Sequence, residues 1–202
     1  MEPFIRLTAI AVPLDHANVD TDRIIPARFL RKPRTDGYGK FLFYDTRFNA
    51  DGAELADFIL NRAPYRDARI LVADRNFGCG SSREGAVWAL FDYGFRSVIA
   101  PSFGDIFFNN CLKIGLLPVV LREDIVAGLR AQLRREPGAR SSIDLAAQTL
   151  VGPDGVQHRV EINPFHKHCL LNGFDEIGLT LEHGDAILAF EARSKAERPW
   201  LW

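Results

Sequence analysis

Residues 69–121, RILVADRNFGCGSSREGAVWALFDYGFRSVIAPSFGDIFFNNCLKIGLLPVVL, decide the fold of this chain. Three short apolar runs, Arg69–Ala73, Ser97–Ala100 and Leu116–Leu121, alternate with two stretches of helical character, Arg83–Tyr93 and Asp105–Lys113. Gly94 and Gly115 follow those stretches, where a residue free to take a left-handed conformation closes a helix. Strands alternating with helices in this way predict an α/β core: a parallel βαβαβ sheet with crossover helices. Ser81-x-x-Glu84 and Ser102-x-x-Asp105 have capping-box spacing, the second with Asp in place of Glu, which predicts Ser81 and Ser102 as helix N-caps.

Upstream, Phe4–Val12 alternates as a strand does, and Asn18–Asp22 is a polar turn. Residues 31–46 mix Arg, Lys, Gly and aromatics without a period, which predicts a long loop. Leu55, Phe58 and Ile59 fall at helical spacing before Pro64 and predict a short helix. Downstream, Glu123–Arg135 is amphipathic and helical. Ile143–Leu150 and Val156–Ile162 flank Gly152-Pro153-Asp154-Gly155, the pattern of a β-hairpin. Pro164–Leu171 predicts a helix stopped at Asn172-Gly173, and Leu179–Arg193 a last one, before a tail holding Trp200 and Trp202. No repeat or linker interrupts the 202 residues, so a single domain over 1–202 is expected, with C-terminal hairpin and helices over 143–193.

The balance of 25 Lys+Arg against 26 Asp+Glu, net charge −1, argues against nucleic acid or a membrane surface as partner. No run approaches a membrane span, and the first residues lack the layout of a signal peptide, so a cytoplasmic location is expected. Cys79, Cys111 and Cys169 are sparse and odd in number, which fits a reducing compartment; none are at metal-clip spacing, so no metal is expected on this chain.

Asn76–Glu84 carries the chemistry. It joins a strand to a helix, its glycines allow a tight turn and close approach to a ligand, and a helix start attracts anions. Ser81, Ser82 and Arg83 add two hydroxyls and a guanidinium able to fork onto a carboxylate. The order Gly-Cys-Gly-Ser-Ser-Arg matches neither common nucleotide-binding glycine pattern.

The stretch Gly78-Cys79-Gly80-Ser81-Ser82-Arg83-Glu84 resembles the Gly-Ser-Ser-Arg-Glu signature of the aconitase superfamily's swivelling domain. Three more stretches resemble the small subunits of isopropylmalate isomerases: Asn18–Asp22 with Ile24-Ile25-Pro26; Val98–Phe103 running to Leu116–Val119; and His168-Cys169 with Asn172-Gly173 and Ile177–Leu181. The resemblance spans nearly the whole chain in the right order. It implies the β/β/α swivelling fold and a hydro-lyase that moves a hydroxyl between neighbouring carbons of 2-isopropylmalate through an alkene, in leucine biosynthesis. It also implies a heterodimer: the partner is a large iron–sulfur subunit bearing a 4Fe-4S cluster, and the substrate is a small dicarboxylate.

By position, Ser81 matches the family's catalytic serine, which as an alkoxide takes a proton from carbon, and Asp22 matches the aspartate of the Thr-Asp turn beside the active site. Ser82 and Arg83 match carboxylate-binding residues, and Arg34 falls where the superfamily has another substrate arginine. Leu30, with Phe29, can meet an isopropyl group, so residues 29–46 are expected to select the substrate and to become ordered only with the partner. One position departs from the signature: Gly85 stands where His usually follows Arg-Glu. That keeps two alternatives open, a related hydro-lyase acting on citraconate, methylmalate or dimethylmalate, and a non-catalytic anion- or nucleotide-binding module.

Overall fold

The computed structural model describes residues 1–201. The elements run β1 (Arg6–Pro13), α1 (Thr21–Ile24), α2 (Tyr44–Arg47), β2 (Ile70–Val72), α3 (Glu84–Tyr93), β3 (Ser97–Ala100), α4 (Asp105–Ile114), β4 (Leu117–Val120), α5 (Glu123–Arg135), β5 (Arg140–Asp144), β6 (Thr149–Val151), β7 (Gln157–Arg159), α6 (Pro164–Asn172), α7 (Glu176–Leu181) and α8 (Gly184–Glu197). Seven strands form one sheet in the order β4-β3-β2-β1-β5-β6-β7.

The seam is β1. Its last residues, Ala11–Pro13, pair parallel with β2, while Arg6–Ile10 pair antiparallel with β5. The parallel half continues through β3 and β4. Period-two alternation divides the core between the two faces. Leu71 and Val98 join one apolar cluster with Ala86, Val87 and Leu90 of α3. Ile70, Val72 and Ile99 join the other with Val126, Leu129 and Leu133 of α5. Each such buried aliphatic side chain stabilises the fold by roughly 1.5–3 kcal/mol. Strands β2–β4 with α3 and α4 make the parallel βαβαβ core that the sequence predicts, and β1 pairs parallel onto it.

Several expectations need correction. Leu55, Phe58 and Ile59 do not make an α-helix; only a 3-10 turn forms, at Ile59–Asn61, and Leu55 is exposed. The first arm of the expected hairpin is two strands, β5 and β6, parted by a turn in which Gln148 has positive φ. The Gly152–Gly155 turn does join an antiparallel pair, β6 and β7. The last helix is two, α7 and α8, and neither buries a residue. Trp200 is 76% exposed; Trp202 lies outside the described residues.

The largest departure is the segment 31–46. It contains α2 and short 3-10 turns, and Tyr38, Phe41, Leu42 and Phe43 are core residues. Phe29 stacks on Phe41 with ring centroids 4.3 Å apart. The aromatics of this segment therefore anchor it to the body of the domain.

Candidate active site

The turn between β2 and α3 is braced on both sides. Toward the 18–22 turn, the Gly78 amide donates to the Val19 carbonyl (2.7 Å), the Thr21 amide donates to Cys79 (2.9 Å), and the Thr21 hydroxyl donates to the Ser81 carbonyl (2.9 Å). Toward the 102–104 segment, the Phe77 amide donates to Ser102 and the Gly104 amide to Phe77, both at 3.0 Å. Glycine is required at two points of this contact. Gly78 has φ +72°, and a Cβ there would sit 2.2 Å from the Phe107 ring; a Cβ on Gly104 would sit 2.6 Å from the Gly78 carbonyl oxygen. Three chain segments thus meet at backbone-to-backbone distance, and the start of α4 faces the turn.

Neither expected cap forms. The N-cap of α3 is Arg83, and no side chain caps that helix. The N-cap of α4 is Gly104, and the Ser102 hydroxyl instead accepts from the Asn76 amide (2.9 Å). Ser81 is therefore released from the structural duty its spacing suggests, and Ser81 and Ser82 are exposed. Arg83 is mostly buried, its side chain 17% exposed, and makes an ion pair with Asp22. A guanidinium has donors to spare: one nitrogen meets Asp22, and the rest of the planar fork stays available to an anion. Asp22 thus orients Arg83.

A cavity of about 190 Å³ opens here, lined by Thr21, Gly78, Gly80, Ser81, Arg83 and, from the start of α4, Gly104, Asp105, Ile106 and Phe107. Ser81 and Arg83 line this cavity together, and Asp22 reaches it through its ion pair with Arg83. Leu30 lies next door: its Cδ2 is 2.8 Å from where a Cβ on Gly85 would stand, two residues beyond Arg83. Arg34 is not brought to the others. It pairs with Asp92 (3.0 Å) and lies over the Trp88 ring (5.2 Å). Asp92 is nine positions beyond Arg83, about 13 Å along the helix axis.

The sequence reading missed the α4 wall. Phe107 and Cys111 are buried one helical turn apart, whereas Ile106 is 52% exposed. Ile106 stands about 100° round the helix from Phe107, on the side away from Cys111. A large aliphatic residue out of helical phase was the available signal. Cys79 precedes α3 by five residues, and burial pushes its thiol up, with the Asp20 carboxylate adding to the effect, the reverse of an activated thiolate. Among the described residues, no three His, Cys, Asp or Glu side chains converge as metal ligands. His168 pairs with Glu182 (3.4 Å). No helix among the described residues is long and apolar enough to cross a membrane.

A mixed sheet with a braced Gly-x-Gly-Ser-Ser-Arg turn at the end of a parallel strand defines a swivelling domain of the aconitase class, and the model of the aconitase C-terminal domain matches residues 1–124. Residues 176–201 match the model of the C-terminal domain of the 3-isopropylmalate dehydratase small subunit. The chain is 54% identical, over the full length of both proteins, to the 3-isopropylmalate dehydratase small subunits of Paramagnetospirillum magneticum and Jannaschia sp.. A crystal structure of 3-isopropylmalate dehydratase from Methanocaldococcus jannaschii superposes with a TM-score of 0.65 at 26% identity, covering 93% of this chain and 99% of that one. This chain belongs to the family of 3-isopropylmalate dehydratase small subunits.

Proposed function

We propose that this chain supplies the serine base and one carboxylate clamp to a two-subunit hydro-lyase that converts 2-isopropylmalate to 3-isopropylmalate in leucine biosynthesis, in the cytoplasm. One observation carries the reading: Arg83 is already held by Asp22 at the edge of a small cavity, while the hydroxyls of Ser81 and Ser82 beside it stay open to solvent. A serine hydroxyl is a very weak base in water. It becomes an effective one only in a positive environment from which water is excluded. Half of that environment is built here, and the other half would come from a large subunit that folds down over the turn.

In the complete site Arg83 and Ser82 hold a substrate carboxylate, and Asp22 keeps the guanidinium aimed. Ser81, as its alkoxide, removes a proton from the carbon next to the one bearing the hydroxyl. The C–O bond breaks as the C=C bond forms, giving the alkene and hydroxide; that hydroxide and the proton now held on Ser81 together make up the water lost. Rehydration in the opposite sense returns the proton to the other carbon. Lewis acidity toward the departing hydroxyl would come from a 4Fe-4S cluster on the large subunit.

The test is turnover of the reconstituted pair. Ser81→Ala should lower kcat roughly 10²–10⁴-fold, the usual contribution of a positioned base, without loss of folding stability, because Ser81 caps nothing. Arg83→Lys should lower kcat/KM about ten- to a hundredfold, since an ammonium cannot meet both Asp22 and a carboxylate in one plane. An active Ser81→Ala enzyme would remove the serine from the mechanism.

A further inference from the structure

We infer that Thr21 is a positioning residue for Ser81, holding the serine in register with the Arg83 clamp. The inference rests on the proposed reaction and deepens it. Thr21 grips the turn at two points. Its amide donates to the Cys79 carbonyl and its hydroxyl donates to the Ser81 carbonyl, both at 2.9 Å. These two carbonyls flank Gly80 and Ser81. Gly80 leaves the backbone before Ser81 free to rotate, and no side chain caps the helix that follows. The direction of the Ser81 peptide, and with it the place of the serine side chain, is therefore set from outside the turn.

Thr21 is itself immobilised. It is buried, and its carbonyl accepts from the Ile25 amide (3.0 Å). The Asp20 side chain caps α1 by accepting from the Arg23 amide (2.7 Å), and Ile24 and Ile25 are core residues. The next residue, Asp22, makes the ion pair with Arg83. Two consecutive residues of one anchored turn thus hold the base and the clamp, one each. A base works only if it reaches the substrate proton while the carboxylate is held, and a misplacement of about 1 Å can cost about a hundredfold in rate. Removing the Thr21 hydroxyl should loosen Ser81 and leave the Asp22–Arg83 pair in place, so turnover suffers and substrate binding does not.

The experiment uses the reconstituted two-subunit enzyme with 2-isopropylmalate. Thr21→Val, which keeps the shape and removes the hydroxyl, should lower kcat about ten- to a hundredfold and change KM less than about threefold. Thr21→Ser, which keeps the hydroxyl, should restore kcat to within about threefold of wild type. Thr21→Val added to Ser81→Ala should cost nothing further, because Thr21 acts through the serine. An unchanged kcat in Thr21→Val, a Thr21→Ser enzyme as slow as Thr21→Val, or a further loss in the Ser81→Ala background would overturn the assignment and leave Thr21 a packing residue. If Thr21→Val does not fold, Thr21→Ala carries the same comparisons, and a tenfold loss of kcat in Thr21→Ser alone overturns the assignment. Failure of the underlying reaction is seen separately, as wild-type enzyme inactive on 2-isopropylmalate or a Ser81→Ala enzyme that keeps its activity.

Discussion

Residues 38–48 and residues 176–201 are both rich in large apolar side chains, yet the first segment is built into the core and the second lies on the surface. Tyr38, Phe41, Leu42 and Phe43 are buried, while Ile177, Leu181, Leu188, Phe190 and Trp200 are exposed. Regular secondary structure does not separate them, because the exposed segment is the more helical. What separates them is how apolar side chains and backbone polar groups are disposed. In α8, which buries no residue, the apolar side chains do not stand out as a distinct apolar face for a core to receive. In the buried segment, Arg47 donates to the carbonyls of Leu42 (3.3 Å) and Gly39 (3.5 Å) and to Asn61 (3.2 Å), and Asn61 returns a bond to the Arg47 carbonyl (2.7 Å). A buried polar pair thus satisfies backbone groups that lack a ladder, and that is the condition for burying irregular chain.

The sharpest way to break this comparison is to truncate one side chain in each segment. Leu42→Ala should cost about 2–5 kcal/mol in a urea titration of the isolated chain, the cost of an internal cavity. Leu188→Ala should change stability by less than about 0.5 kcal/mol. Similar losses at both positions would mean that α8 has a docked face.

Amide exchange gives a smaller and more local contrast. The Phe43 amide donates to Ile24 (2.8 Å) and the Arg47 amide to Phe43 (2.8 Å), both within packed chain, and should be strongly protected. The amides of α8 are hydrogen-bonded too, but a 14-residue helix with no buried residue is marginal alone, so they should exchange orders of magnitude faster. Slow exchange in α8 together with fast exchange in 41–47 would invert the account.

The same physics explains what the sequence made legible. The βαβαβ unit was readable because strand and helix periods, and the glycines at 94 and 115, all agree. Helix 123–135 was readable to the residue, since its apolar face is regular and Pro137-Gly138 follows. The tight turn before α3 was readable because glycines, serines and an arginine share one short stretch between a strand and a helix. Segment 38–48 was not, because its order depends on Arg47 and Asn61 meeting across the chain. The α4 wall was not either: it is the close approach of Gly104 to Gly78 that brings the start of α4 to the cavity Ser81 lines. Arg34 was placed near the site by its position in a loop, and Trp88 and Asp92 hold it elsewhere.

The smallest expected effect lies where the 29–46 segment touches the helix of the site. Gly85 has no backbone need to be glycine, so alanine there should gain about 1 kcal/mol of helix propensity. A Cβ at that position would, however, stand 2.8 Å from Leu30 Cδ2 and 3.2 Å from Tyr38 Cε1. Tyr38 is pinned: its hydroxyl donates to the Lys32 carbonyl (2.8 Å), its amide donates to Asp92 (3.2 Å), and its ring meets Trp88 edge-on at 5.5 Å. Leu30 is the partner that must give way. Gly85→Ala alone should therefore be close to neutral, the propensity gain offset by displacing Leu30. With Leu30→Val already present the added methyl has room, and Gly85→Ala should then stabilise by about 0.5–1 kcal/mol relative to the Leu30→Val single variant. A double-mutant cycle in urea denaturation reads the coupling directly. Strict additivity would show that Leu30 does not rest on Gly85, and would loosen the link between this segment and the helix that carries Arg83.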